Sequence, residues 1–257
     1  MGQLAVTFSM SMRLSSSTWS ELYPFTQGLG KKLTACDSVE SSAQEFARSL
    51  FDAFTESLVL ARVYVSLPLE DLAPEVRTFA EAVATGKGLS AKMKSSTPVL
   101  CLMGTYGQQT VWRQRKLSQG HQGIPLASAE FVDSVPMLAR LFRDTGVSQQ
   151  VLQDFDGGVD IQRDVVNGLF YVADAQKTVD AQGRLVIPAQ DFVIKHGVKT
   201  VFGGGGLFVN GSFGAFILFT REDVSHAAAE RVNSLLSVFK VAAGAKLANR
   251  KLYSARD

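Results

Sequence analysis

Residues 199–248 decide the fold of this chain and read KTVFGGGGLFVNGSFGAFILFTREDVSHAAAERVNSLLSVFKVAAGAKLA. Their first part contains apolar, β-rich segments at 200–202, 207–209 and 213–220, and the dipeptide Asn210-Gly211 separates the last two. An Asn-Gly pair between apolar runs predicts a β-hairpin with a type I′ turn, because both residues tolerate the positive φ that this turn needs.

A helix is predicted directly after the hairpin. The charged residues Arg221–Asp223 break the second strand, and apolar residues then recur three or four positions apart. This spacing predicts one long closing helix over residues 223–248 with a single buried stripe. The stripe consists of Val224, Ala228, Val232, Leu235, Leu236, Phe239 and Ala243.

The preceding part of the chain alternates between strand-like and helix-like segments. Apolar residues at helical spacing predict helices over Pro74–Val83 and over 128–143, the second one capped by Ser128 and kinked or restarted at Pro136. Interspersed strands and helices with a hairpin at the end predict an α+β domain with a central antiparallel sheet and flanking helices. Short apolar runs predict strands at Leu58–Leu67, Pro98–Thr105 and Leu169–Ala173.

Two more helices are expected before the first strand. Helical spacing predicts an N-terminal helical extension over residues 18–56, with Ser38 as the N-cap of its second helix. Residues 1–17 lack a basic start and a clear cleavage site, so they predict a loosely attached leader and not a secretory signal. Because no repeat or linker divides the remainder, residues 18–257 are expected to form a single domain.

Composition excludes several classes of function. The chain has 257 residues, of which 46% are hydrophobic, so it can bury a substantial core. A formal net charge of +2 gives no field that favours nucleic acid or an anionic membrane surface. No apolar run is long enough for a transmembrane helix. Two cysteines do not make a disulfide framework, which indicates a reducing, cytoplasmic setting.

Four phrases of the sequence resemble a known family. They read WSELYPFTQGLGKKLTACDSVESSAQEFARSLFDAF, SQGHQGIPL, PAQDFVIKHGVKTVFGGGG and GAFILFTRE, and together they span most of the chain from Trp19 to Glu222. They are similar to an uncharacterised group of bacterial GAF-like sensory domains that often precede histidine kinase modules. The hairpin, acidic break and closing helix also resemble the end of a GAF domain.

The resemblance implies a GAF-like, profilin-like fold and a function in bacterial signalling. GAF domains are sensory modules that bind small molecules and often pair through their terminal helices. We therefore expect a pocket for a small molecule of unknown identity, a homodimer, and a histidine kinase or another signalling protein as partner. The resemblance names no cofactor. Because the sequence ends at Asp257 without a kinase or cyclase module, the output is expected to come through a partner, through dimerisation or from a separate polypeptide.

His121 is the strongest single candidate for a ligand-binding residue. It lies in a loop with a glycine nearby on each side, just before Pro125. An imidazole in such a loop can bind a ligand, a metal or a haem iron, and its alternative role is to fix the turn through hydrogen bonds. The three histidines of the chain show no metal-ligand spacing, so no metal site is predicted.

A second candidate group consists of Trp112, Arg113, Arg115 and Lys116. A guanidinium recognises anions in a bidentate manner and stacks on rings, so this group could bind an anionic or aromatic ligand. The alternative is a solvated basic edge beside a partly buried tryptophan. One aromatic residue with a few cations does not indicate nucleic-acid binding.

The glycine run Gly203–Gly206 is a third candidate. A strand follows it, whereas phosphate-binding glycine loops open a helix, so nucleotide binding is not predicted. Without side chains, Gly204 and Gly205 leave room above the sheet, which predicts the floor of a ligand pocket. The alternatives are a β-bulge or the close approach of a neighbouring strand.

Five further residues are assigned to the pocket. The GAF resemblance implies that Tyr171, Asp191, Phe192 and Phe202 lie on or near strands that line it. Core packing is the alternative for the three aromatic residues, and a turn or cap is the alternative for Asp191. Cys101 lies in the second apolar strand, where a buried structural thiol is the alternative to a ligand contact.

The sequence contains no GxSxG elbow, no HExxH helix and no paired carboxylates beside a histidine. We therefore expect a protein that is not an enzyme. Two rivals to a ligand sensor stay open. One is an interaction or dimerisation module without a ligand, which a filled core would favour. The other is a haem or metal sensor that uses His121.

Overall fold

The computed structural model of the chain describes residues 12–118, 120–147 and 167–254. Strands in these ranges form one antiparallel sheet of six strands in the order β3-β2-β1-β6-β5-β4. Their bounds are β1 Leu58–Pro68, β2 Pro98–Gly107, β3 Gly123–Pro125, β4 Gly168–Val172, β5 Val201–Leu207 and β6 Phe213–Thr220. The predicted α+β fold class, a central antiparallel sheet with flanking helices, is confirmed.

Helices cover both faces of this sheet. The α-helices in the described ranges are α1 Trp19–Ala35, α2 Val39–Ala53, α3 Pro74–Gly86, α4 Ala129–Ser134, α5 Pro136–Thr145, α6 Gln190–Lys195, α7 His226–Asn233 and α8 Leu235–Ala248. Within the described residues, no helix combines the length and the hydropathy that crossing a bilayer requires.

Helices α1, α2, α7 and α8, which we call the terminal-helix layer, pack on one face of the sheet. Their aromatic centre is Phe46, whose ring centroid lies 5.5 Å from that of Phe216 on β6 and 5.4 Å from that of Phe239 on α8. All three side chains are fully buried. Helices from both ends of the chain therefore share one core, which requires long-range contacts for the domain to fold.

Helices α4, α5 and α6 lie over the opposite face of the sheet. Phe142 on α5 packs on Phe213 of β6 with their ring centroids 5.0 Å apart. Leu60, Leu100 and Ile217 project from three adjacent strands into this second core. Because successive side chains in a strand point to opposite faces, the same strands supply both cores.

Several local predictions are confirmed. Ser38 caps α2 by accepting a hydrogen bond from the amide of Ser41, and Ser128 caps α4 through the amide of Phe131. Pro136 separates α4 from α5 and occupies the first position of α5, where its missing amide hydrogen costs nothing. Cap and proline chemistry is local, so the sequence predicts it well.

The predicted type I′ turn at Asn210-Gly211 is wrong. Of these two residues only Gly211 has a positive φ, of 83°. Its amide donates to the carbonyl of Phe208, and the amide of Phe208 donates to the carbonyl of Ser212. The hairpin is therefore joined by a three-residue loop in which a turn precedes one left-handed glycine, the other common solution for an antiparallel pair.

The closing helix is divided in the structure. The prediction was one helix over residues 223–248, whereas α7 ends at Asn233 and α8 begins at Leu235. Ser234 lies between them and its hydroxyl donates to the carbonyl of Arg231 over 2.7 Å. Such a local side-chain bond competes with the helical backbone ladder and bends a helix.

Residues 12–17 of the predicted leader are attached to the domain. Leu14 is fully buried, and its amide donates to the hydroxyl of Ser57 over 3.0 Å. The amide of Met12 donates to the carbonyl of Ala53 over 2.9 Å. The expectation of a loose leader thus does not hold for these residues, while residues 1–11 lie outside the described range.

Helix α2 approaches the sheet most closely at Gly104 of β2. A Cβ atom added to Gly104 would lie 2.2 Å from the carbonyl oxygen of Ala43, a backbone atom of the helix. Gly104 also borders a β-bulge, because Val63 pairs with Gly104 and Tyr64 with Leu102. The fold therefore requires a glycine where the bulge meets the helix.

We expect Gly104→Ala to lower the free energy of unfolding by at least about 2 kcal/mol, since the methyl group displaces helix α2 from the sheet. Gly28→Ala in the exposed part of α1 is the matched control, because its added Cβ meets nothing within 4 Å. That control is expected to raise stability by roughly 0.5–1 kcal/mol. Urea denaturation measures both, and an unchanged midpoint for Gly104→Ala would contradict this packing.

Candidate functional site

A cavity of about 210 Å³ lies on the sheet face opposite the terminal-helix layer. We call it the sheet cavity. Strands β1 and β6 form its floor through Leu60, Ile217 and Phe219, and α5 forms one wall through Leu138 and Leu141. A concave, mainly apolar site with a few converging polar groups is the usual form of a small-molecule pocket.

Aromatic rings form a second wall of the sheet cavity. Trp112 and Phe192 both line it, and their ring centroids are 5.6 Å apart at a steep angle. Phe192 also meets the floor residue Phe219 edge-on at 5.4 Å. His196 packs behind them at 4.9 Å from Trp112. These edge-to-face contacts hold the wall in place and leave flat apolar surface for a ligand.

Arg62 supplies the positive charge of the sheet cavity. It lies in the middle of β1, and one of its terminal nitrogens is 3.4 Å from the hydroxyl of Tyr64, which also lines the cavity. Its Nε atom is buried and has no hydrogen-bond partner among the described residues. Among the described residues that line the cavity there is no aspartate and no glutamate. The guanidinium therefore faces the cavity without a counter-ion from the described chain.

His121 lines the sheet cavity from the loop before β3 and keeps solvent contact on its other side. Its φ is +58°, in the left-handed region that few non-glycine residues adopt. The surrounding protein atoms and the positive charge of Arg62 lower the pKa of its imidazole. The imidazole is thus neutral at neutral pH and can act both as a donor and as an acceptor.

A second cavity, of about 510 Å³, lies near the ends of β1 and β2. It is lined by turn residues and by the end of α8, and its charged residues are Glu70, Asp71 and Arg250, of which the last two pair with each other. The sheet cavity is smaller, but its lining is mainly apolar and its one charged residue, Arg62, has no acidic partner among the described residues. It is therefore the better candidate for a ligand site.

Of the residues that the sequence singles out, Trp112, His121 and Phe192 line the sheet cavity. Cys101, Phe202 and Tyr171 lie on the other face of the sheet, in the core of the terminal-helix layer. Cys101 and Phe202 are fully buried there, and burial raises the pKa of the Cys101 thiol. The hydroxyl of Tyr171 donates to the carbonyl of Val224 over 2.7 Å.

The two candidate arginines also lie outside the sheet cavity. Arg113 is exposed, and its guanidinium lies 5.4 Å from the ring centroid of Tyr106. Arg115 is 7% exposed and forms ion pairs with Glu40 of α2 and Glu75 of α3. Its role in the structure is to join two helices, which its position in a basic sequence cluster could not reveal.

Asp191 and the two candidate glycines also lie outside the lining of the sheet cavity. Asp191 is exposed in the first turn of α6 and does not line the sheet cavity. A Cβ at Gly204 would meet the amide oxygen of Asn233 on α7, and one at Gly205 would meet the ring of Phe213. The glycine run lies inside β5 and permits close packing on both faces of the sheet.

The sequence reasoning missed Arg62 and Tyr64. A signal for Arg62 was present, because it is the one charged residue in the otherwise apolar strand LVLARVYVSLP. A charge within such a strand requires a partner or a polar cavity. For metal binding, the described residues contain no cluster of three histidine, cysteine, aspartate or glutamate side chains that could hold an ion.

No protein-family model and no curated protein matches this sequence. Among solved structures, the chain is similar to the GAF domain of an Acinetobacter phosphoenolpyruvate-protein phosphotransferase, with 11% identity and a TM-score of 0.47 over 90% of this chain and 97% of that one. It is similar to the free methionine-R-sulfoxide reductase of Neisseria meningitidis at 11% identity and a TM-score of 0.47, over 93% and 99% of the two chains. It is also similar to the phycoerythrobilin-bound GAF domain of a cyanobacterial phytochrome, with 11% identity and a TM-score of 0.44 over 88% of this chain and 96% of that one.

The buried ion pairs of Arg115 yield a test of its structural role. We expect Arg115→Met to lower the free energy of unfolding by about 3 kcal/mol, because it leaves Glu40 partly buried without its cation. Arg113→Met removes an exposed neighbouring cation and should cost less than about 1 kcal/mol. Urea denaturation of both variants measures the difference. Equal stability of the two variants would contradict the assignment.

Proposed function

We propose that this chain is a GAF-like sensory domain that binds a small organic ligand in the sheet cavity and reports its presence through the terminal-helix layer. The observation that carries this proposal is the cavity itself, where apolar side chains surround Arg62, Tyr64 and His121. The sequence phrases that resemble bacterial GAF-like sensory domains support the same function. We assign the protein no catalytic role.

The size of the sheet cavity limits the ligand. A cavity of about 150 Å³ accommodates benzene, so about 210 Å³ suits a compound of one or two rings. A haem or a bilin is much larger than this space. The cavity therefore favours a small metabolite over a tetrapyrrole, and it weighs against a haem sensor that uses His121.

The presence of a cavity also weighs against the other rival, an interaction module with a filled core. The proposal of a role without catalysis is supported by the two thiols. Burial raises the pKa of both Cys36 and Cys101, and neither residue lines the sheet cavity. A reactive cysteine needs the opposite, a thiolate favoured by its surroundings.

The strands connect the sheet cavity to the terminal-helix layer. On β6, Ile217 contributes to the cavity floor while its neighbours Phe216 and Leu218 are buried under the helices. A ligand that binds one packing arrangement of this sheet better than another would shift the population of both layers together. The sheet is a single layer, so cavity and helices are separated by one strand thickness.

We assign the domain to cytoplasmic signalling in bacteria, with a histidine kinase or another signalling protein as partner. The resemblance of the sequence to domains that often precede histidine kinases supports this assignment. The surface of the terminal-helix layer supports it as well, because Trp19 and Tyr23 of α1 and Val241 of α8 are large apolar residues that remain exposed.

Ligand binding in the sheet cavity can be tested with a variant that closes its mouth. We expect native mass spectrometry of freshly purified protein, or a thermal-shift screen of small metabolites, to detect a ligand for the wild type. Ala189→Trp, at the exposed rim of the cavity, should abolish that signal because the indole occupies the entrance.

The matched control is Ala82→Trp, which adds the same side chain to an exposed position on α3. It should bind as the wild type does. If no compound is found whose binding depends on an open mouth at Ala189, the proposed function is overturned and the chain is better described as an interaction module.

The exposed apolar residues of α1 and α8 predict a homodimer. We expect sedimentation velocity to give a dimer mass for the wild type and a monomer mass for Tyr23→Glu or Val241→Glu, because a buried unpaired charge disrupts an apolar interface. Ile194→Glu changes an exposed residue of α6 and should leave the mass unchanged. A monomer mass at every concentration of the wild type would contradict the dimer.

A further inference from the structure

We infer that the ligand of the sheet cavity is a small apolar monocarboxylate, an organic acid of one or two rings whose carboxylate pairs with Arg62. The inference rests on the proposed function and names the chemical class that this site selects. It is carried by the position of Arg62, by the absence of acidic side chains from the described residues of the cavity lining, and by the shape of the apolar wall.

The unpaired guanidinium is the first support. A charge in an apolar site is costly unless it is paired and hydrogen-bonded. Two other partly buried arginines meet this requirement, since Arg140 pairs with Asp144 at 2.6 Å and Arg184 pairs with Asp180 at 2.7 Å. Arg77 also has a buried Nε without a partner among the described residues, but it does not line the cavity and its terminal nitrogen donates to the backbone carbonyl of Glu70. Arg62 has only the 3.4 Å contact to Tyr64, and its buried Nε has no partner in the described residues.

The preferred partner of a guanidinium is a planar anion. A carboxylate can accept two parallel hydrogen bonds from one arginine, which fixes both its position and its orientation. A cationic ligand would be repelled by Arg62. A neutral ligand would leave the buried Nε without a strong acceptor, whereas a carboxylate would accept its hydrogen bond and offset the cost of burying it.

The remaining polar groups of the sheet cavity fit a ligand with a single negative charge. His121 lies near enough to Arg62 for the guanidinium to lower the pKa of the imidazole. The site therefore carries one positive charge near neutral pH. The Tyr64 hydroxyl and the neutral imidazole remain available as additional hydrogen-bond partners for the carboxylate.

The rest of the sheet cavity determines the body of the ligand. Apolar lining from both the floor and α5 excludes strongly polar substituents, since each would be buried without a partner. The flat surfaces of Trp112 and Phe192 suit a ring, and the volume of about 210 Å³ admits one or two of them.

The experiment compares an acid with its uncharged counterpart on the full chain. Isothermal titration calorimetry is run with phenylacetate and phenylacetamide, and with indole-3-acetate and indole-3-acetamide. We expect at least one acid to bind about tenfold or more tightly than its amide, the loss that follows from removing a charge-assisted pair.

Three variants assign the preference to Arg62. Arg62→Gln should bring the acid down to the affinity of the amide, and Arg62→Lys should retain part of the preference because it keeps the charge. Arg113→Gln removes an exposed cation outside the cavity and should change neither affinity. If Arg62→Gln does not fold, the comparison of acid and amide on the wild type still decides the charge requirement.

Several results would overturn the inference. Equal affinity of acid and amide, an acid preference that survives in Arg62→Gln, or the absence of acid binding up to millimolar concentration would each do so. A neutral or cationic molecule found in the cavity by native mass spectrometry would also do so. None of these results contradicts the proposed function. That proposal fails separately if Ala189→Trp abolishes the binding of no compound.

Discussion

Alternation of side chains along β1 and β6 is the constraint on which the rest of this structure depends. Away from the register shifts, residues buried under the terminal-helix layer alternate with residues on the opposite face of the sheet, and several of the latter line the sheet cavity. On β1, Ala61 and Val63 contribute to the helix-side core, while Arg62 and Tyr64 reach the cavity. Strand β1 therefore contributes to the helix-side core with one face and to the sheet cavity with the other. A shift of its register by one residue would place Arg62 in a closed apolar core.

The two arginines Arg62 and Arg115 show how the same side chain acquires different roles. Arg115 is enclosed by Glu40 and Glu75, and its guanidinium lies 5.3 Å from the ring centroid of Tyr253. The charge of Arg115 is neutralised by ion pairs within the protein, so this side chain contributes to the stability of the fold. Arg62 meets no carboxylate in the described chain and faces a space that a ligand can enter. The difference lies mainly in the neighbours, since Arg115 is buried between two carboxylates and the partly buried Arg62 has none beside it in the described chain.

The sequence allowed the sheet class, four strands, the caps of α2 and α4 and the restart at Pro136 to be predicted, because each depends on short-range patterns. The candidate site was predicted less completely. Trp112, His121 and Phe192 line the sheet cavity, but Phe202 and Tyr171 face the terminal-helix layer. Membership of a strand can be recognised from composition, whereas the face on which a residue lies depends on register and bulges. Arg115 was misleading for another reason, because its acidic partners lie on α2 and α3, far away in sequence.

The bulge between Val63 and Tyr64 lies between the sheet cavity and a close contact of the sheet with helix α2. It lies beside Arg62 on the cavity side, and on the other side Gly104 brings the β2 backbone against the carbonyl of Ala43 on α2. Packing at such a contact is close, so a small displacement of β1 cannot be absorbed by empty space. An anion that draws Arg62 and Tyr64 together would act on the strand at this bulge. The same feature that permits the tight helix contact thereby connects the candidate ligand site to the helices that would report it.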